Sequence, residues 1–210
     1  MEKKIKELLY RYPQLRECEE DINKAYEILE KTFKQGGKLL ICGNGGSASD
    51  SEHIVGELMK EFKIRRKLSD EDSKKLKEID NELGRILADN LQGALPAISL
   101  TSHYALQTAY MNDAIPELVF AQQVNGYGKS KDALLCISTS GNSKNVLYAA
   151  IVAKLKGLKV IGLTSSKENK LRKYCDVCIG VPETEVYKIQ ELHLPIYHCL
   201  CIMLEEKFFG

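Results

Sequence analysis

The chain has 210 residues, of which 44% are hydrophobic and 28% are charged, with a formal net charge of +1. This length suits one domain with an appended element and supplies enough apolar residues for a sizeable core. The near-neutral charge gives no general attraction to nucleic acid or to a membrane surface, and no apolar stretch approaches the ~20 residues that span a bilayer, so we expect neither as a partner.

Seven cysteines occur at irregular spacings. An odd number of cysteines without a signal peptide is typical of a reducing compartment, so we expect a cytoplasmic protein. Cys42 and Cys136 lie within apolar runs, where we expect them to behave as small core residues.

Residues 1–36 have a helical pattern, in which apolar residues such as Leu8, Leu15 and Ile22 recur on one face, opposite charged residues. Helices of this kind pack either on the protein core or on another subunit. We therefore interpret residues 1–36 as N-terminal helices for oligomerisation within a single domain, of which residues 37–210 form the body.

After these helices, short apolar runs alternate with helical segments. The predicted strands are 38–42, 96–100, 133–137, 158–163 and 176–181. This alternation predicts an α/β fold, a doubly wound, parallel five-stranded sheet with helices on both faces. Loops at the carboxyl ends of neighbouring strands would then form one crevice.

A polar, glycine-rich turn follows the first strand directly, with the sequence Gly43-Asn44-Gly45-Gly46-Ser47. Glycine permits positive φ and leaves the backbone amides open to a ligand. A helix that begins at this turn directs free N–H groups and the positive end of its dipole at an anion, which favours a phosphate.

The helix after this turn carries His53 and Glu57, four residues apart on one face. The last helical pattern, 185–207, carries Gln190 and His198 and contains Pro195, which predicts a kink. Imidazole, carboxylate and amide groups suit a divalent metal such as zinc, provided that the two helices meet. A histidine on a helix is also commonly a hydrogen-bonded structural residue, and this alternative stays open.

Residues 63–95 exceed the usual length of a connection between a helix and the next strand. Ser69 and the acidic residues after it predict a helix start, and a charged helical pattern extends from about Glu71 to Leu91. We interpret this segment as an inserted helical hairpin or flap over one edge of the crevice.

A second polar loop follows the strand 133–137, with the sequence Ser138-Thr139-Ser140-Gly141-Asn142-Ser143. Its hydroxyl groups can donate hydrogen bonds to phosphate oxygens. The same composition is typical of an ordinary turn with an N-cap. Because two such loops follow two apolar strands, we favour phosphate binding.

From about Leu39 to Glu206 the chain resembles the sugar isomerase (SIS) domain family, and within it the phosphoheptose (sedoheptulose-7-phosphate) isomerases. The resemblance is carried by both polar loops, by the His53 and Glu57 pair, and by Gln190 with His198. The pair Asn112-Asp113 also matches. The N-terminal helices fit, because the family uses such helices to build a homotetramer with sites at subunit interfaces.

The resemblance implies a role for each matching residue. The sugar chain would contact Asn44, Gly45, Gly46, Glu57, Asn112, Asp113 and Gln190. The phosphate would bind Ser47, Ser138, Thr139, Ser140 and Ser143. One zinc ion per subunit would bind His53, Glu57, Gln190 and His198. Proton transfer would fall to Glu57 and His198.

The implied activity is aldose–ketose isomerisation, from D-sedoheptulose 7-phosphate to D-glycero-D-manno-heptose 7-phosphate through an enediol, supplying heptose for surface polysaccharide. A carboxylate and an imidazole suit the proton transfers of such a reaction. One alternative is a non-catalytic phosphosugar-binding regulator or a scaffold protein associated with replication initiation. Another is a different phosphosugar enzyme of the same fold, such as an arabinose-5-phosphate isomerase or an etherase.

The chain departs from the family pattern at Glu61. Better-known members place an arginine near the phosphate at this position, four residues after the glutamate. The cationic side chains nearest in sequence are Lys60, Lys63 and Arg65.

Overall fold

The computed structural model describes residues 2–210 and contains a five-stranded sheet in which all neighbouring strands are parallel. The strands are β1 (Leu39–Cys42), β2 (Ala97–Ser99), β3 (Ala133–Ile137), β4 (Lys159–Ser165) and β5 (Val177–Val181). Every residue of β1 and β3 is buried, as expected for continuous apolar strands that are covered on both faces. The predicted fold class is confirmed.

The strand order is β2-β1-β3-β4-β5, so the direction of the chain across the sheet reverses between β1 and β3. Leu40 of β1 pairs with Leu134 of β3, and Cys42 pairs with Cys136. In open α/β sheets, ligands bind outside the carboxyl ends of the strands at such a reversal. The two polar loops follow these two strands, so the topology places both at the point of reversal.

Helices cover both faces of the sheet. The α-helices are α1 (Glu2–Arg11), α2 (Glu19–Lys34), α3 (Gly46–Met59), α4 (Asp70–Ile79), α5 (Leu83–Asn90), α6 (Tyr104–Asp113), α7 (Val119–Tyr127), α8 (Lys144–Leu155) and α9 (Val186–Phe209). Alternate strand residues point to opposite faces. Leu39 and Ile41 accordingly join the core formed with α1, α2, α3 and α9, whereas Leu40 and Cys42 join the core formed with α7 and α8.

The N-terminal helices pack on the core of their own chain. Ile5, Leu15, Ile22 and Leu29 are all buried in the same apolar cluster as α9. A short 3-10 helix, Pro13–Cys18, separates α1 from α2, because proline favours the first turn of a new helix and cannot continue the preceding one. Met1, the first residue of the predicted 1–36 segment, lies outside the described part.

The inserted segment forms a helical hairpin of α4 and α5, which we call the inserted hairpin (residues 70–90). The Ser69 hydroxyl accepts a hydrogen bond from the Asp72 N–H and caps α4. The Asp80 carboxylate accepts the N–H groups of Glu82 and Leu83, so the chain turns here instead of continuing as one helix to Leu91. The expectation that this hairpin covers an edge of the crevice stays a prediction.

The last helix, α9, continues through Pro195 as a single helix of 24 residues. Proline removes one backbone hydrogen bond, and the burial of Leu192 before it and of Ile196 and Leu200 after it holds the helix together on either side of it. Within residues 2–210, no helix combines the length and the apolar character that crossing a membrane requires.

Candidate active site

The two polar loops meet at the carboxyl ends of β1 and β3. The side-chain amide of Asn44 donates to the Asn145 Oδ1 at 2.9 Å, and the Asn145 amide donates back to the Asn44 Oδ1 at 2.8 Å. This reciprocal pair ties the first loop to the first turn of α8. The crevice expected from the sequence is therefore formed by contact between the loops.

The first loop needs glycine at two positions for different reasons. Gly45 has a φ of +56°, in the region that side chains disfavour, and it forms the N-cap of α3. A Cβ on Gly46 would lie 2.6 Å from the side-chain nitrogen of Gln190. The first turn of α3 is thus packed directly against α9, and Gln190 lies beside the loop.

A cavity of about 270 Å³ lies between the loops, which we call the loop cavity. Its lining includes residues 44–47 of the first loop, Ser138, Thr139 and Ser143 of the second, and Val186 and Gln190 of α9. None of the described residues that line it carries a charged side chain. An anion bound here would be held by hydrogen bonds and dipoles.

Three helices begin at the loop cavity. Gly46 is the first residue of α3, Ser143 is the N-cap of α8, and Val186 is the first residue of α9. Each helix N-terminus presents free N–H groups and a partial positive charge. Their convergence on one polar cavity favours a phosphate group without any cationic side chain.

The hydroxyl groups of the second loop have two kinds of partner. Ser138 Oγ lies 3.2 Å from Ser143 Oγ and accepts the Gly141 N–H at 3.1 Å, so it also holds the turn. Ser140 is exposed, and its Oγ accepts the N–H of Asn142 at 3.2 Å. Ser140 does not line the loop cavity. Its predicted contact with a phosphate would therefore require its hydroxyl to turn out of the loop and toward the cavity.

His53, Glu57 and His198 form a second group of polar side chains, which we call the histidine–carboxylate cluster. The Nε2 of His53 lies 3.1 Å from the Glu57 Oε1 and 3.5 Å from the Nε2 of His198. The structure therefore brings α3 and α9 together at these residues. Burial lowers the pKa of His198, and the nearby His53 lowers it further, while Glu57 opposes the shift.

Asp50 and Tyr197 extend this cluster into the protein. The Tyr197 hydroxyl donates to the Asp50 Oδ1 at 3.1 Å and lies 3.0 Å from the Nδ1 of His53. Burial raises the pKa of Asp50, although the hydrogen bond from Tyr197 acts in the opposite direction. Neither residue was predicted as part of the site. Asp50 lies one turn before His53, which is the only sequence signal for it, and Tyr197 adjoins His198 in an otherwise apolar stretch.

The predicted metal ligands lie on α3 and α9. As the side chains stand, no group of three or more His, Cys, Asp or Glu residues within the described chain is arranged to hold a metal ion. The donor types nevertheless fit a divalent cation, and the separations of 3.1 and 3.5 Å are close to the ~3.3 Å between ligand atoms of a tetrahedral zinc site. The Glu57 Oε2 is buried and has no hydrogen-bond partner, so it is available to a cation or a proton. Gln190, the fourth predicted ligand, lies at the loop cavity beside Gly46 and outside the histidine–carboxylate cluster.

Asn112 and Asp113 lie apart from the loop cavity, at the end of α6. Both are exposed, and the Asn112 amide donates to the Asp113 carboxylate at 2.9 Å. Every described residue of α6 is at least partly exposed, as a helix without a partner on its outer face would be. Their predicted role in sugar binding stays a prediction.

Of the three cationic residues nearest to Glu61 in sequence, one lines a cavity beside His198. Lys63 lines a second cavity, of about 250 Å³, together with His198, Lys4 and Arg11. Lys60 instead donates to the backbone carbonyl of Glu61, and Arg65 is exposed. Of the three cations nearest in sequence, Lys63 is therefore the one that shares a cavity with His198.

Comparisons with known proteins agree with this geometry. The model of the SIS domain family matches residues 3–74 and 76–165. A phosphoheptose isomerase of Rhodospirillum rubrum is 35% identical over 192 residues, covering 91% of this chain and 88% of the relative. The solved phosphoheptose isomerase of Francisella tularensis is 32% identical with a TM-score of 0.73, covering 89% of this chain and 85% of that one.

The solved phosphoheptose isomerase of Neisseria gonorrhoeae is similar to the same extent. It is 31% identical with a TM-score of 0.69, and the alignment covers 88% of this chain and 86% of that one. The match to the family model spans both polar loops and strands β1 to β4. The chain belongs to the SIS domain family, and within it to the phosphoheptose isomerases.

Proposed function

We propose that this phosphosugar isomerase interconverts D-sedoheptulose 7-phosphate and D-glycero-D-manno-heptose 7-phosphate, which would supply heptose for surface polysaccharide. The observation that carries the proposal is the pairing of a cavity at three helix N-termini with a histidine–carboxylate cluster on two of the same helices. The cavity suits a phosphate, and the cluster suits proton transfer.

The spacing between the two parts suits a long sugar. His53 follows Gly46 by seven residues and His198 follows Gln190 by eight, so at ~1.5 Å per residue the cluster lies roughly 10–12 Å along the helices from the loop cavity. An extended heptose spans roughly 9 Å from C2 to a phosphate on C7, given C–C bonds of about 1.5 Å. A pentose 5-phosphate is two carbons shorter and would not reach both parts equally well.

Within this proposal the phosphate is bound by neutral groups. Ser47, Ser138, Thr139 and Ser143 donate hydroxyl hydrogen bonds, with Ser140 at the rim, and the helix N-termini supply N–H groups. Asn44, Gly45, Gly46 and Gln190 lie next along the sugar chain. Anchoring the phosphate places the other end of the sugar at the cluster and lowers the entropic cost of reaction.

The proposed chemistry moves one proton between two carbons. Glu57 takes the proton from the carbon beside the carbonyl, which gives an enediol, and returns it to the neighbouring carbon. His198 moves the oxygen-bound proton between the two oxygens, so that the carbonyl and the hydroxyl exchange places. The unpartnered Oε2 of Glu57 is the oxygen that is free to accept the carbon-bound proton.

We propose that His53, Glu57 and His198 hold one zinc ion per subunit. The resemblance also implies Gln190 as a ligand, which would require its side chain to leave Gly46 at the loop cavity and turn toward His198. When bound, a divalent cation polarises the substrate carbonyl and stabilises negative charge on the enediol oxygens. Glu57 has two carboxylate oxygens, so ligation through Oε1 leaves Oε2 for proton transfer.

We also propose a cytoplasmic homotetramer with sites at the subunit interfaces. The exposed face of α6 carries Tyr104, Leu106 and Met111, which are 80%, 41% and 41% exposed, and a second subunit would cover them. Asn112 and Asp113 lie on this helix, so contact with a neighbouring subunit is how they would meet a sugar. The mass of the purified protein in solution tests this assembly.

The deciding experiment is turnover of sedoheptulose 7-phosphate by the purified protein, before and after a chelator and after added zinc. We expect activity that is lost with the chelator and restored by zinc, with ribulose 5-phosphate a much poorer substrate. Absence of turnover with every divalent metal, while sugar phosphates still raise the melting temperature, would instead support the non-catalytic binding protein.

A further inference from the structure

We propose that Asp50 and Tyr197 are positioning residues that hold His53 in one tautomer, with the proton on Nδ1 and the lone pair of Nε2 directed at Glu57 and His198. The inference rests on the proposed function only in giving this lone pair a use. The tautomer itself follows from the hydrogen-bond geometry of three side chains, Asp50, Tyr197 and His53.

The hydrogen bond between Tyr197 and Asp50 has a fixed direction. A tyrosine hydroxyl has one proton, and an ionised carboxylate has only acceptors. The Tyr197 Oη lies 3.1 Å from the Asp50 Oδ1, so the tyrosine proton is directed at Asp50. The oxygen of Tyr197 is then left with lone pairs and can only accept a further hydrogen bond.

The position of the proton on His53 follows from this direction. Its Nδ1 lies 3.0 Å from the same Tyr197 oxygen. Because that oxygen can only accept, Nδ1 must donate, and in a neutral imidazole the other ring nitrogen then carries the lone pair. Hydrogen bonding at one ring nitrogen thus fixes the state of the other.

Two polar groups surround the Nε2 of His53. It faces the Glu57 Oε1 at 3.1 Å and the His198 Nε2 at 3.5 Å. With a lone pair on the His53 Nε2, this acceptor faces the Glu57 Oε1, which is also an acceptor, and the contact is favourable only with a proton or a cation between the two atoms. The hydrogen bonds from His53 through Tyr197 to Asp50, which we call the relay, therefore prepare the histidine–carboxylate cluster to bind a positive charge.

The packing of Tyr197 also allows the relay to hold the His53 ring in place. Tyr197 is 2% exposed, and its ring lies edge-on to His53, with centroids 5.5 Å apart, and to His198, with centroids 5.0 Å apart. Asp50 belongs to α3 and Tyr197 to α9, so the hydrogen bond crosses between the helices that carry the cluster. Removing the hydroxyl alone would leave the ring packing in place.

The test compares the tautomer of His53 in four proteins by ¹⁵N NMR of labelled histidine, with the signal assigned from a His53→Asn variant. The wild type should show the proton on Nδ1. Asp50→Ala removes the acceptor, so the Tyr197 proton can turn to Nδ1 and the tautomer should reverse. Asp50→Asn keeps an acceptor oxygen and should restore the wild-type tautomer. Tyr197→Phe should give a mixture of both tautomers.

A second measurement follows zinc affinity by competition with a chromogenic chelator. Loss of an outer hydrogen-bond partner of a histidine ligand typically weakens metal binding about 10–100-fold, and we expect this range for Tyr197→Phe and Asp50→Ala. Tyr148→Phe is the matched control, because Tyr148 lies on α8 at the other face of the sheet, and its affinity should equal that of the wild type.

The proposal would be overturned if Asp50→Ala and Tyr197→Phe kept the wild-type tautomer, or if Asp50→Asn reversed it as Asp50→Ala does. A wild-type protein that neither turned over sedoheptulose 7-phosphate nor bound zinc would contradict the proposed function, while the NMR comparison would still decide the tautomer. If Asp50→Ala fails to fold, the comparison of Tyr197→Phe with the wild type decides it alone.

Discussion

Glu57 combines two properties in one side chain, since its Oε1 faces His53 and its Oε2 is buried without a hydrogen-bond partner. Replacing Glu57 with Gln removes the proposed base and leaves the loop cavity intact. Because positioned bases contribute typically 10²–10⁴-fold to the rate, we expect kcat to fall by at least ~100-fold, with phosphosugar affinity within a few-fold of the wild type. Steady-state kinetics and calorimetric binding measure the two effects.

The control for this prediction is Glu52→Gln on the same helix. Glu52 is exposed and accepts hydrogen bonds from the hydroxyls of Thr101 and Ser102, outside the histidine–carboxylate cluster. Its kcat should match that of the wild type. Full activity of the Glu57 variant would remove this residue from the proton-transfer step.

His193 is a buried histidine that the site does not use. Its Nε2 donates to the Thr164 carbonyl at 3.3 Å, and burial lowers its pKa from 6.5 to about 4. The folded-state pKa is depressed, so as pH falls below 6.5 the unfolded chain takes up a proton that the native protein does not. Stability is therefore complete above about pH 6.5 and declines as pH falls toward 4.

Between pH 7 and pH 5 we expect the free energy of unfolding to fall by about 2 kcal/mol through His193. His193→Gln keeps a donor for the Thr164 carbonyl but does not titrate, so its unfolding free energy should depend less steeply on pH. Urea unfolding at the two pH values measures the difference. Equal slopes for both proteins would show that burial does not lower the pKa of His193 in the native state.

At the scale of elements, α3 and α9 are joined at both ends of the site. Beyond Glu57, the Arg66 guanidinium donates to the backbone carbonyls of Glu57 and Leu58 and to the Glu205 carboxylate at 2.8 Å. Glu205 also accepts the N–H groups of residues 62–64. Arg66 thus caps the C-terminal end of α3 and connects it to α9, which fixes where the helices carry His53 and His198.

We expect Arg66→Met to destabilise the protein by about 3–5 kcal/mol, because it leaves the fully buried Glu205 carboxylate without its cationic partner. Turnover should fall as well, since the capped end of α3 follows Glu57 directly. Lys24→Met is the contrasting variant, because Lys24 pairs with Glu20 at an exposed position of α2, and no measurable loss of stability is expected. Chemical unfolding of both variants checks the difference.

The element boundaries show which interactions the sequence can predict. All five strands were predicted within two residues of the observed bounds, because apolar runs between polar loops depend on local pattern. The sequence predicted a helical hairpin or flap here but not the position of the break between α4 and α5, since that depends on the Asp80 carboxylate accepting two N–H groups. The contact of Asp50 with Tyr197 joins residues 147 positions apart, and helical periodicity carries no information about it.

At the scale of the whole molecule, the inserted hairpin is an appendage to the sheet. Its helices pack mainly on each other, and Ile79, Leu83 and Ile86 are 82%, 59% and 57% exposed. The chain enters and leaves the hairpin at nearly the same place, because Lys67 pairs with Gln92 and the Gly93 N–H donates to the Arg66 carbonyl at 2.9 Å. A short turn can therefore replace it without moving either end.

We expect replacement of residues 70–90 by a four-residue Gly/Asn turn to leave the fold intact and to change the melting temperature by less than ~5 °C, since the hairpin contributes little to either core. A turn this short also keeps the entropic cost of loop closure small. If the exposed apolar residues cover a neighbouring subunit, the mass in solution should fall while phosphate binding in the loop cavity persists. A loss of stability beyond ~10 °C without a change in mass would show instead that the hairpin supports the domain itself.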